Sequence, residues 1–234
     1  MRTLSVKLGN HESYRFINSS GVPQGSNLGP LLFSLFFNDI CCVIPPGFKL
    51  MYADDLKIFM IVRSIQDCLE VQRYVDLFEK WCTRNLLTIS VSKCNVITFT
   101  RKKNPIIWAY NISGELIERV TVMKDLGLLL DTEMTFREHY SNIILKANKN
   151  LGFIFRIAKE FRDPYCLRAL YFSLVRSILE ASAVVWSPHT ENWSRRIESV
   201  QKKIIRYALR FLPWQNPVEL PPYESRCRLL NMDS

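Results

Sequence analysis

The sequence predicts an α+β fold, with short strands over the first 131 residues and helices over most of the remainder. Two observations support this prediction. Alternating apolar and polar residues flank turn signals at Gly9-Asn10 and Ser113-Gly114, which is typical of β-hairpins. From about residue 132, apolar residues instead recur at helical spacing in three successive stretches. We therefore predict a mixed domain at 1–131, a helical domain at 132–212 and a proline-rich tail at 213–234.

The composition indicates a globular protein with an anionic partner. The 234 residues are 48% apolar and 23% charged, and the net charge of +9 favours nucleic acid as that partner. The seven cysteines include no Cys-x-x-Cys pair, which indicates free thiols in a reducing compartment and argues against a zinc site. No segment resembles a signal peptide or a membrane span, so we expect an intracellular protein, nuclear or cytoplasmic, without a membrane partner.

The first 40 residues predict a hairpin, a glycine-rich loop and a helix. Leu4–Leu8 and Ser13–Asn18 are the two arms of the hairpin. Ser26 or Asn27 is expected to cap the helix, and the run Leu31–Phe37 is apolar on nearly all sides, which predicts burial. Free backbone N–H groups at such a helix start suit a phosphate or a nucleotide, although the spacing alone favours a plain strand-to-helix turn.

Residues 50–58 predict a second hairpin with two adjacent carboxylates at its tip. The flanks Phe48–Tyr52 and Leu56–Val62 are predicted strands, and Asp54-Asp55 between them tolerates turn geometry. Neighbouring residues on a strand point to opposite faces, so both side chains can reach one site only at a tight turn. Two such carboxylates repel each other unless a cation neutralises them, and Mg²⁺ prefers hard oxygen ligands of this kind. Taken alone, an Asp-Asp pair is more often a solvated acidic turn.

A helix over Ser64–Arg84 is predicted next, with its first residue as the cap and Asp67 in its first turn. After it, Cys94–Thr100 is a predicted strand, and the segments Ile106–Ile112 and Leu116–Val120 are predicted to form a hairpin. The core-facing stripe of the helix consists of Cys68, Val71, Val75, Phe78 and Cys82.

The C-terminal part predicts three helices with a basic surface. They span about Phe136–Glu160, Asp163–Val185 and Asn192–Phe211, and Tyr223–Leu230 can start a short helix in the tail. Residues 132–216 contain 14 Lys or Arg and seven Asp or Glu, so this region has a net charge of +7, compared with +9 for the whole chain. Such an excess favours phosphate contacts, although charged helix faces are more often merely solvated. The candidates for contact with a nucleic-acid backbone are Lys146, Lys149, Arg156, Lys202 and Lys203.

Two segments together resemble a known family. Residues 21–33 have the pattern Gly-Val-Pro-Gln-Gly-Ser-x-Leu-x-Pro-x-Leu-Phe, and Tyr-Ala-Asp-Asp follows at 52–55. These segments resemble motifs B and C of reverse transcriptases from non-LTR (LINE-type) retrotransposons, in the same order and about 30 residues apart. The resemblance implies part of a polymerase palm, an antiparallel sheet with helices on one face, followed by an all-helical thumb.

The resemblance also implies roles for single residues. Asp54 and Asp55 would bind Mg²⁺, or alternatively Mn²⁺, and serve catalysis of RNA-directed DNA synthesis. The implied partners are an RNA template, a DNA primer and deoxynucleoside triphosphates. The residues implied to contact template or nucleotide are Pro23, Gln24, Gly25 and Tyr52.

Two weaker matches follow motif C. Lys93 matches the lysine of motif D, which lies near the incoming nucleotide and is implied to be catalytic; the alternative is a surface lysine at a strand entrance. Leu126-Gly127 resembles motif E, the hairpin that holds the primer end; the alternative is a core strand with a bulge.

The resemblance covers motifs B to E and the thumb, which is the C-terminal half of the enzyme domain. Motif A supplies a bridging carboxylate upstream of motif B, and Glu12 is the only acidic residue before Gly21. Loss of one member of a catalytic unit commonly lowers the rate by orders of magnitude, so we expect a fragment that is inactive alone. The alternatives are a palm–thumb remnant that binds nucleic acid without catalysis, a relic that folds poorly, and a fragment of an intron-encoded reverse transcriptase.

Overall fold

The structure, a computed structural model, describes residues 2–18, 21–22, 25–161, 163–211 and 221–232. Helices and short strands are both present, so the α+β prediction is confirmed. The chain divides into two compact units. The hairpin unit comprises Met1–Val96 and Lys102–Arg119, and the helical unit comprises Ile97–Arg101 and Val120–Ser234. The strands at 122–131 thus belong with the helices that follow them.

The strands of the described residues are short and pair two by two, without forming one continuous sheet. They are β1 (Arg2–Leu4), β2 (Lys7–Leu8), β3 (His11–Glu12), β4 (Phe16–Asn18), β5 (Lys49–Tyr52), β6 (Asp55–Ile58), β7 (Asn95–Val96), β8 (Asn111–Ile112), β9 (Glu115–Leu116), β10 (Glu118–Arg119), β11 (Val122–Asp125) and β12 (Leu128–Asp131). Antiparallel pairs join β1 with β4, β2 with β3, β5 with β6, β8 with β9 and β11 with β12. The pair of β7 and β10 is parallel.

Two of these hairpins have the backbone of a type I′ turn. Ser113 and Gly114, between β8 and β9, have φ of +52° and +79°, and Leu126 and Gly127, between β11 and β12, have φ of +44° and +90°. A type I′ turn needs positive φ at both central residues and matches the twist of the flanking strands. The hairpin predicted at Ser113-Gly114 is therefore confirmed. Leu126-Gly127 is a hairpin turn and not a bulge within one strand.

The described residues of the hairpin unit form two α-helices, α1 (Gly29–Phe37) and α2 (Ile65–Arg84). The predicted cap of α2 is confirmed: Ser64 Oγ accepts from the Asp67 backbone N–H at 3.3 Å, and Asp67 Oδ2 accepts from the Ser64 N–H at 2.8 Å. The backbone N–H of Arg63 also donates to Asp67, and these bonds hold the pKa of the Asp67 carboxyl below its ordinary value. Reciprocal capping of this kind fixes where the helix begins.

The prediction that α1 is buried is wrong. Within α1 only Gly29 and Phe37 are buried, although Pro30 lies in the first turn as expected. The Phe37 ring meets the Trp81 ring of α2 edge to face at 5.4 Å, so only one side of α1 packs. A helix that is apolar on all sides can bury only the side that meets a neighbour. The large side chains left exposed, by 41% to 62%, are Leu31, Leu32, Leu35 and Phe36.

Helices dominate the second unit. They are α3 (Arg137–Phe161), α4 (Pro164–Tyr171), α5 (Ser177–Glu180), α6 (Ala183–Trp186), α7 (Glu191–Ala208) and α8 (Tyr223–Leu229). The start of α4 agrees with the sequence, because Asp163 Oδ1 accepts from the Tyr165 N–H at 2.9 Å. The single helix predicted over Asp163–Val185 is interrupted by a π-helical turn at Phe172–Arg176 and by Ser182, whose φ is +57°.

The core of the helical unit lies between α3, α4, α5 and α7. Tyr171, Ile204 and Met232 are among its fully buried side chains, and Tyr171 donates from its hydroxyl to Gln201 Oε1 at 2.9 Å. Cys227, Leu230 and Met232, from the segment interpreted as a tail, belong to the same core. Among the described helices, none combines the length and the apolar character that crossing a bilayer requires.

Candidate functional site

The strands β5 and β6 form a tight hairpin that brings Asp54 and Asp55 to one tip. Tyr52 pairs with Asp55, so Ala53 and Asp54 are the two turn residues. Both carboxylates are exposed, and the hairpin predicted from the sequence is confirmed. Ala53 has φ of +52°, a left-handed conformation that costs a residue with a Cβ about 1–2 kcal/mol. Backbone strain of this kind persists where the surrounding structure imposes it, and it is common at functional sites.

One face of this hairpin is held by the core of the hairpin unit. Met51 and Leu56 pack against a cluster of Phe37, Ile40, Trp81 and Cys82. The buried Lys49 also donates from Nζ to the carbonyl oxygens of Ile40, at 3.4 Å, and Ile44.

The opposite face of the hairpin carries Leu50 and Tyr52, which are 59% and 64% exposed. The hairpin therefore presents its two carboxylates and one aromatic ring to the surface.

The other residues matched to motifs B and D lie elsewhere in the hairpin unit. Gly25 is exposed in the loop before α1, with φ of +80°, whereas Pro23 and Gln24 lie outside the described residues. Lys93 ends the 3₁₀ turn Val91–Lys93 with its side chain exposed. In the described part of the chain, no hydrogen bond or ion pair joins Gly25 or Lys93 to the Asp54–Asp55 tip.

The hairpin of β11 and β12 is fixed to the start of α3 by Asp131. The Asp131 carboxylate accepts from the backbone N–H groups of Glu133 and Thr135 at 3.0 Å and of Phe136 at 2.7 Å, and from the Thr135 hydroxyl at 3.0 Å. Burial raises the pKa of Asp131, but these four donors outweigh it and hold the pKa below the ordinary 3.8. The bonds also hold Met134 and Phe136 at positive φ, so one carboxylate shapes the whole junction.

His139 ties the same hairpin to α3 from the other side. Its Nδ1 accepts from the Leu129 backbone N–H of β12 at 3.3 Å, and its ring packs edge to face on Trp186 at 5.1 Å. The side chain is 3% exposed, and within the described residues its Nε2 has no hydrogen-bond partner. Burial, and secondly the charge of Lys146, lower the pKa of His139 below 6.5. The neutral ring therefore accepts at Nδ1 and carries its proton on Nε2.

The five candidate phosphate-binding residues differ in their surroundings. Lys146, Lys149 and Arg156 of α3 are exposed, and none of them forms an ion pair within the described residues. Lys203 donates from Nζ to Asn148 Oδ1 at 2.6 Å, and Lys202 lies 4.8 Å from the centre of the Tyr223 ring. The α3 residues are thus the freer part of this set.

Comparison with known families tests whether the resemblance of the two sequence motifs reflects family membership. The family described as reverse transcriptase (RNA-dependent DNA polymerase) matches residues 2–153, which include the β5–β6 hairpin, the β11–β12 hairpin and most of α3. The chain belongs to the reverse transcriptase family. Its match spans more than half of the 234 residues and includes Asp54, Asp55 and Lys149.

The relatives of this reverse transcriptase chain are proteins of non-LTR elements, which confirms the LINE-type resemblance over the intron-encoded alternative. The RNA-directed DNA polymerase from mobile element jockey of Drosophila funebris is 33% identical over 143 residues, covering 58% of this chain and 15% of the relative. The probable RNA-directed DNA polymerase from transposon BS of Drosophila melanogaster is 26% identical over 216 residues, covering 88% and 24%. The chain thus spans less than a quarter of the length of these relatives. No solved structure matches it significantly.

Reverse transcriptases generally use a divalent metal ion, and the donor chemistry of the hairpin tip fits such an ion. Asp54 and Asp55 offer carboxylate oxygens on adjacent, exposed residues. Among the residues that the structure describes, no group of three or more His, Cys, Asp or Glu side chains is placed to hold a metal. Among the described residues, the tip therefore offers a metal ion two carboxylates and no third ligand of these types.

Sequence reasoning missed the two residues that fix the β11–β12 hairpin, Asp131 and His139. Asp131 carried a local signal, since an Asp side chain commonly accepts from the backbone N–H two residues on, as it does here from Glu133. His139 carried none, because its partner Leu129 lies ten residues away on another element.

Proposed function

We propose that this chain is the palm-and-thumb part of an RNA-directed DNA polymerase from a non-LTR retrotransposon. The observation that supports it most directly is the hairpin tip at 53–55, where two adjacent carboxylates are exposed next to a strained Ala53. In this proposal residues 1–131 are the palm portion, 132–212 the thumb and 213–234 a tail that contributes to the thumb core. Family membership at 2–153 supports the palm assignment.

Asp54 and Asp55 would hold Mg²⁺, or Mn²⁺ in its place, through their carboxylate oxygens. When bound, the ion would neutralise charge that develops on the transferring phosphate during nucleotidyl transfer. Tyr52, which is exposed beside the tip, would contact a nucleotide or the primer end.

The remaining motif residues contribute binding in this proposal. Lys93 would stabilise phosphate charge, and the exposed tip at Leu126-Gly127 would contact the primer. The residues assigned to template or nucleotide are Pro23, Gln24 and Gly25.

Nucleotidyl transfer by two metal ions needs more carboxylate ligands than this tip supplies. We therefore propose that residues 1–234, as an isolated chain, bind nucleic acid but do not extend a primer. The charge of the helical region, +7 over residues 132–216, supports the binding half of this statement.

Two measurements on the purified chain test the proposal. In the first, primer extension on an RNA template with Mg²⁺ should not exceed that of an Asp54→Asn, Asp55→Asn double variant; robust synthesis that the variant loses would overturn the claim of inactivity. In the second, Tb³⁺, a hard oxygen-seeking ion, should show emission sensitised by Tyr52 that the double variant lacks. Equal emission from both proteins would remove the metal assignment.

Binding of nucleic acid without catalysis is the second candidate function, and it is favoured by the basic face of α3, whose cations form no ion pair among the described residues. Affinity for an RNA–DNA hybrid that falls steeply with salt, in a chain inactive in extension, would support it. Failure to bind the hybrid at low salt would overturn both candidates.

A further inference from the structure

The outward side of α7 carries cations and no carboxylate. At about 100° per residue, five Lys and Arg side chains fall within an arc of about 120° and extend over about 16 Å of the helix. The buried residues of α7, which include Val200 and Ile204, lie on the opposite side, and both acidic residues, Glu191 and Glu198, lie beyond one edge of the arc. We call the five cations the α7 stripe; they are Arg195, Arg196, Lys202, Lys203 and Arg206.

The α7 stripe differs from an ordinary solvated helix face, which carries charges of both signs. Helix α2 shows the ordinary pattern, with four acidic and three basic residues and an ion pair between Arg73 and Glu70. In the α7 stripe, Arg195 pairs with Glu191 at the edge of the arc, and the other four cations have no carboxylate partner among the described residues. Like charges at spacings of three and four residues repel each other, so the stripe matches a partner that supplies negative charge along its length.

One cation of the stripe lies on an aromatic support. The Arg196 guanidinium lies 4.2 Å from the centre of the Trp193 ring, and that ring packs on the Tyr140 ring of the core at 5.0 Å. Arg196 itself is exposed. A flat guanidinium that is supported on one side and open on the other is a surface on which a nucleic-acid base stacks.

A second aromatic ring lies beside the stripe on α8. The Tyr223 ring lies 4.8 Å from the Lys202 ammonium, and its hydroxyl donates to the Glu198 carboxylate. That hydrogen bond holds the ring against α7. Cations interleaved with aromatic rings along one line are typical of surfaces that bind a single nucleic-acid strand.

The shape of the stripe favours a single strand over a duplex or an acidic peptide. A flexible strand can lie along a straight row of cations, whereas each strand of a duplex winds away from such a row. A base can stack on Arg196 only if one of its faces is free, and single-stranded bases offer such faces. An acidic peptide supplies charge but no base to stack on Arg196.

We propose that the α7 stripe binds a single strand of RNA. Arg195, Lys203 and Arg206 bind phosphates of that strand, and one of its bases stacks on the outer face of the Arg196 guanidinium. The assignment rests on the proposed function, in which the template is RNA. It places a single-stranded part of the template on α7.

Fluorescence anisotropy with a labelled, unstructured RNA of about 12 nucleotides tests the ionic contacts on the full chain. Replacing Arg195 and Arg206 together with Gln should weaken binding by about tenfold at about 0.1 M salt. It should also lower the slope of log affinity against log salt by about 1.4, since each phosphate contact with a single strand contributes about 0.7. The matched control replaces Lys80 and Arg84, two exposed cations of α2, with Gln and should leave both quantities unchanged. An equal loss in the control would overturn the proposal.

Two conservative variants test the stacked base, because each keeps the charge and removes only the flat guanidinium. Arg196→Lys should weaken RNA binding by about threefold or more without changing the salt slope. Arg195→Lys should match the wild type, since the Arg195 guanidinium lies over no ring among the described residues. Both variants should melt at the wild-type temperature, so that a loss of binding does not reflect unfolding. Equal affinity of all three proteins would overturn the proposal.

An RNA–DNA hybrid and an oligoglutamate, each as long as the RNA, distinguish failure of this assignment from failure of the proposed function. If the wild type binds neither the RNA nor the hybrid, the proposed function fails. If it binds both, but the Arg195 and Arg206 double variant matches it on the RNA, only the stripe assignment fails. The double variant should keep its affinity for the hybrid within about twofold, and an equal loss on hybrid and RNA would overturn the assignment to a single strand. Oligoglutamate binding as tight as RNA binding would overturn the assignment to nucleic acid.

Discussion

Replacing Asp131 with Asn should loosen the junction between β12 and α3 without removing the side chain. Four donors, three backbone N–H groups and the Thr135 hydroxyl, converge on the carboxylate at 2.7 to 3.0 Å. A hydrogen bond to a charged group contributes about 1.5–3 kcal/mol, but this junction is partly exposed and water can replace some of the partners. Asn keeps one acceptor oxygen, so we expect a loss of about 1–2 kcal/mol, or roughly 2–8 °C in melting temperature.

The pH dependence of this effect has a definite sign. The pKa of Asp131 in the folded chain lies below 3.8, so its stabilisation is fully present above pH 3.8 and is lost as the pH falls through the lower, folded pKa. Urea unfolding followed by circular dichroism should therefore show the wild type more stable than Asp131→Asn at pH 7. The difference in free energy of unfolding between the two proteins should become smaller only below pH 3.8.

The control for this experiment is Asp39→Asn, which removes an exposed carboxylate in the other unit and should leave stability within about 0.5 kcal/mol. Equal stability of wild type and Asp131→Asn at pH 7 would refute the account of the junction. A loss of stability of the same size in Asp39→Asn would also refute that account.

Three further substitutions have expected outcomes. His139→Gln keeps an acceptor for the backbone N–H but cannot be protonated. Because the pKa of His139 in the folded chain lies below 6.5, the free energy of unfolding of the wild type should fall as the pH drops below 6.5. Urea unfolding at pH 7.5 and 5.5 should show that the variant lacks this part of the pH dependence. A steeper dependence in the variant would contradict this. Ile204→Ala should cost about 2–5 kcal/mol in thermal unfolding, because the side chain is fully buried, and a change below 1 kcal/mol would count against the core described here. Ala53→Gly should relieve about 1–2 kcal/mol of backbone strain, while the greater entropy of glycine in the unfolded chain should cost about 0.5–1 kcal/mol. The net effect is a small stabilisation, so amide hydrogen exchange in β5 and β6 should slow slightly. Faster exchange would argue against strain at Ala53.

The features that sequence predicted well depend on neighbours in the chain. The tip at Asp54-Asp55, the cap at Ser64 and the turn at Ser113-Gly114 are each defined within about six residues, and local conformational preference decides them. The apolar stripe of α3 was predicted for the same reason, because its period of 3.6 is independent of what packs on it.

The features that sequence did not predict depend on partners far along the chain. The apolar character of α1 predicted burial, but burial needs a facing surface, and α2 supplies one side only. The segment at 223–232 was interpreted as part of a tail, yet its apolar residues enter the helical core, which no local pattern reveals. The primer, template and metal assignments of individual residues remain predictions that the experiments above address.

The exposed surfaces of the two units are supported by buried apolar clusters of different size. Among the described residues, the buried cluster of the helical unit contains 19 side chains, whereas the cluster under the Asp54–Asp55 hairpin contains four. The smaller cluster must keep a strained Ala53 in place while the opposite face of the hairpin and much of α1 stay exposed and apolar. Local stability follows buried apolar contact, so the carboxylate tip should open at a lower free energy than the α3 face. Under the proposed function, an isolated chain of this kind would keep an ordered α3 surface for nucleic acid, whereas its tip, with two carboxylates and a small supporting core, would be poorly organised for catalysis.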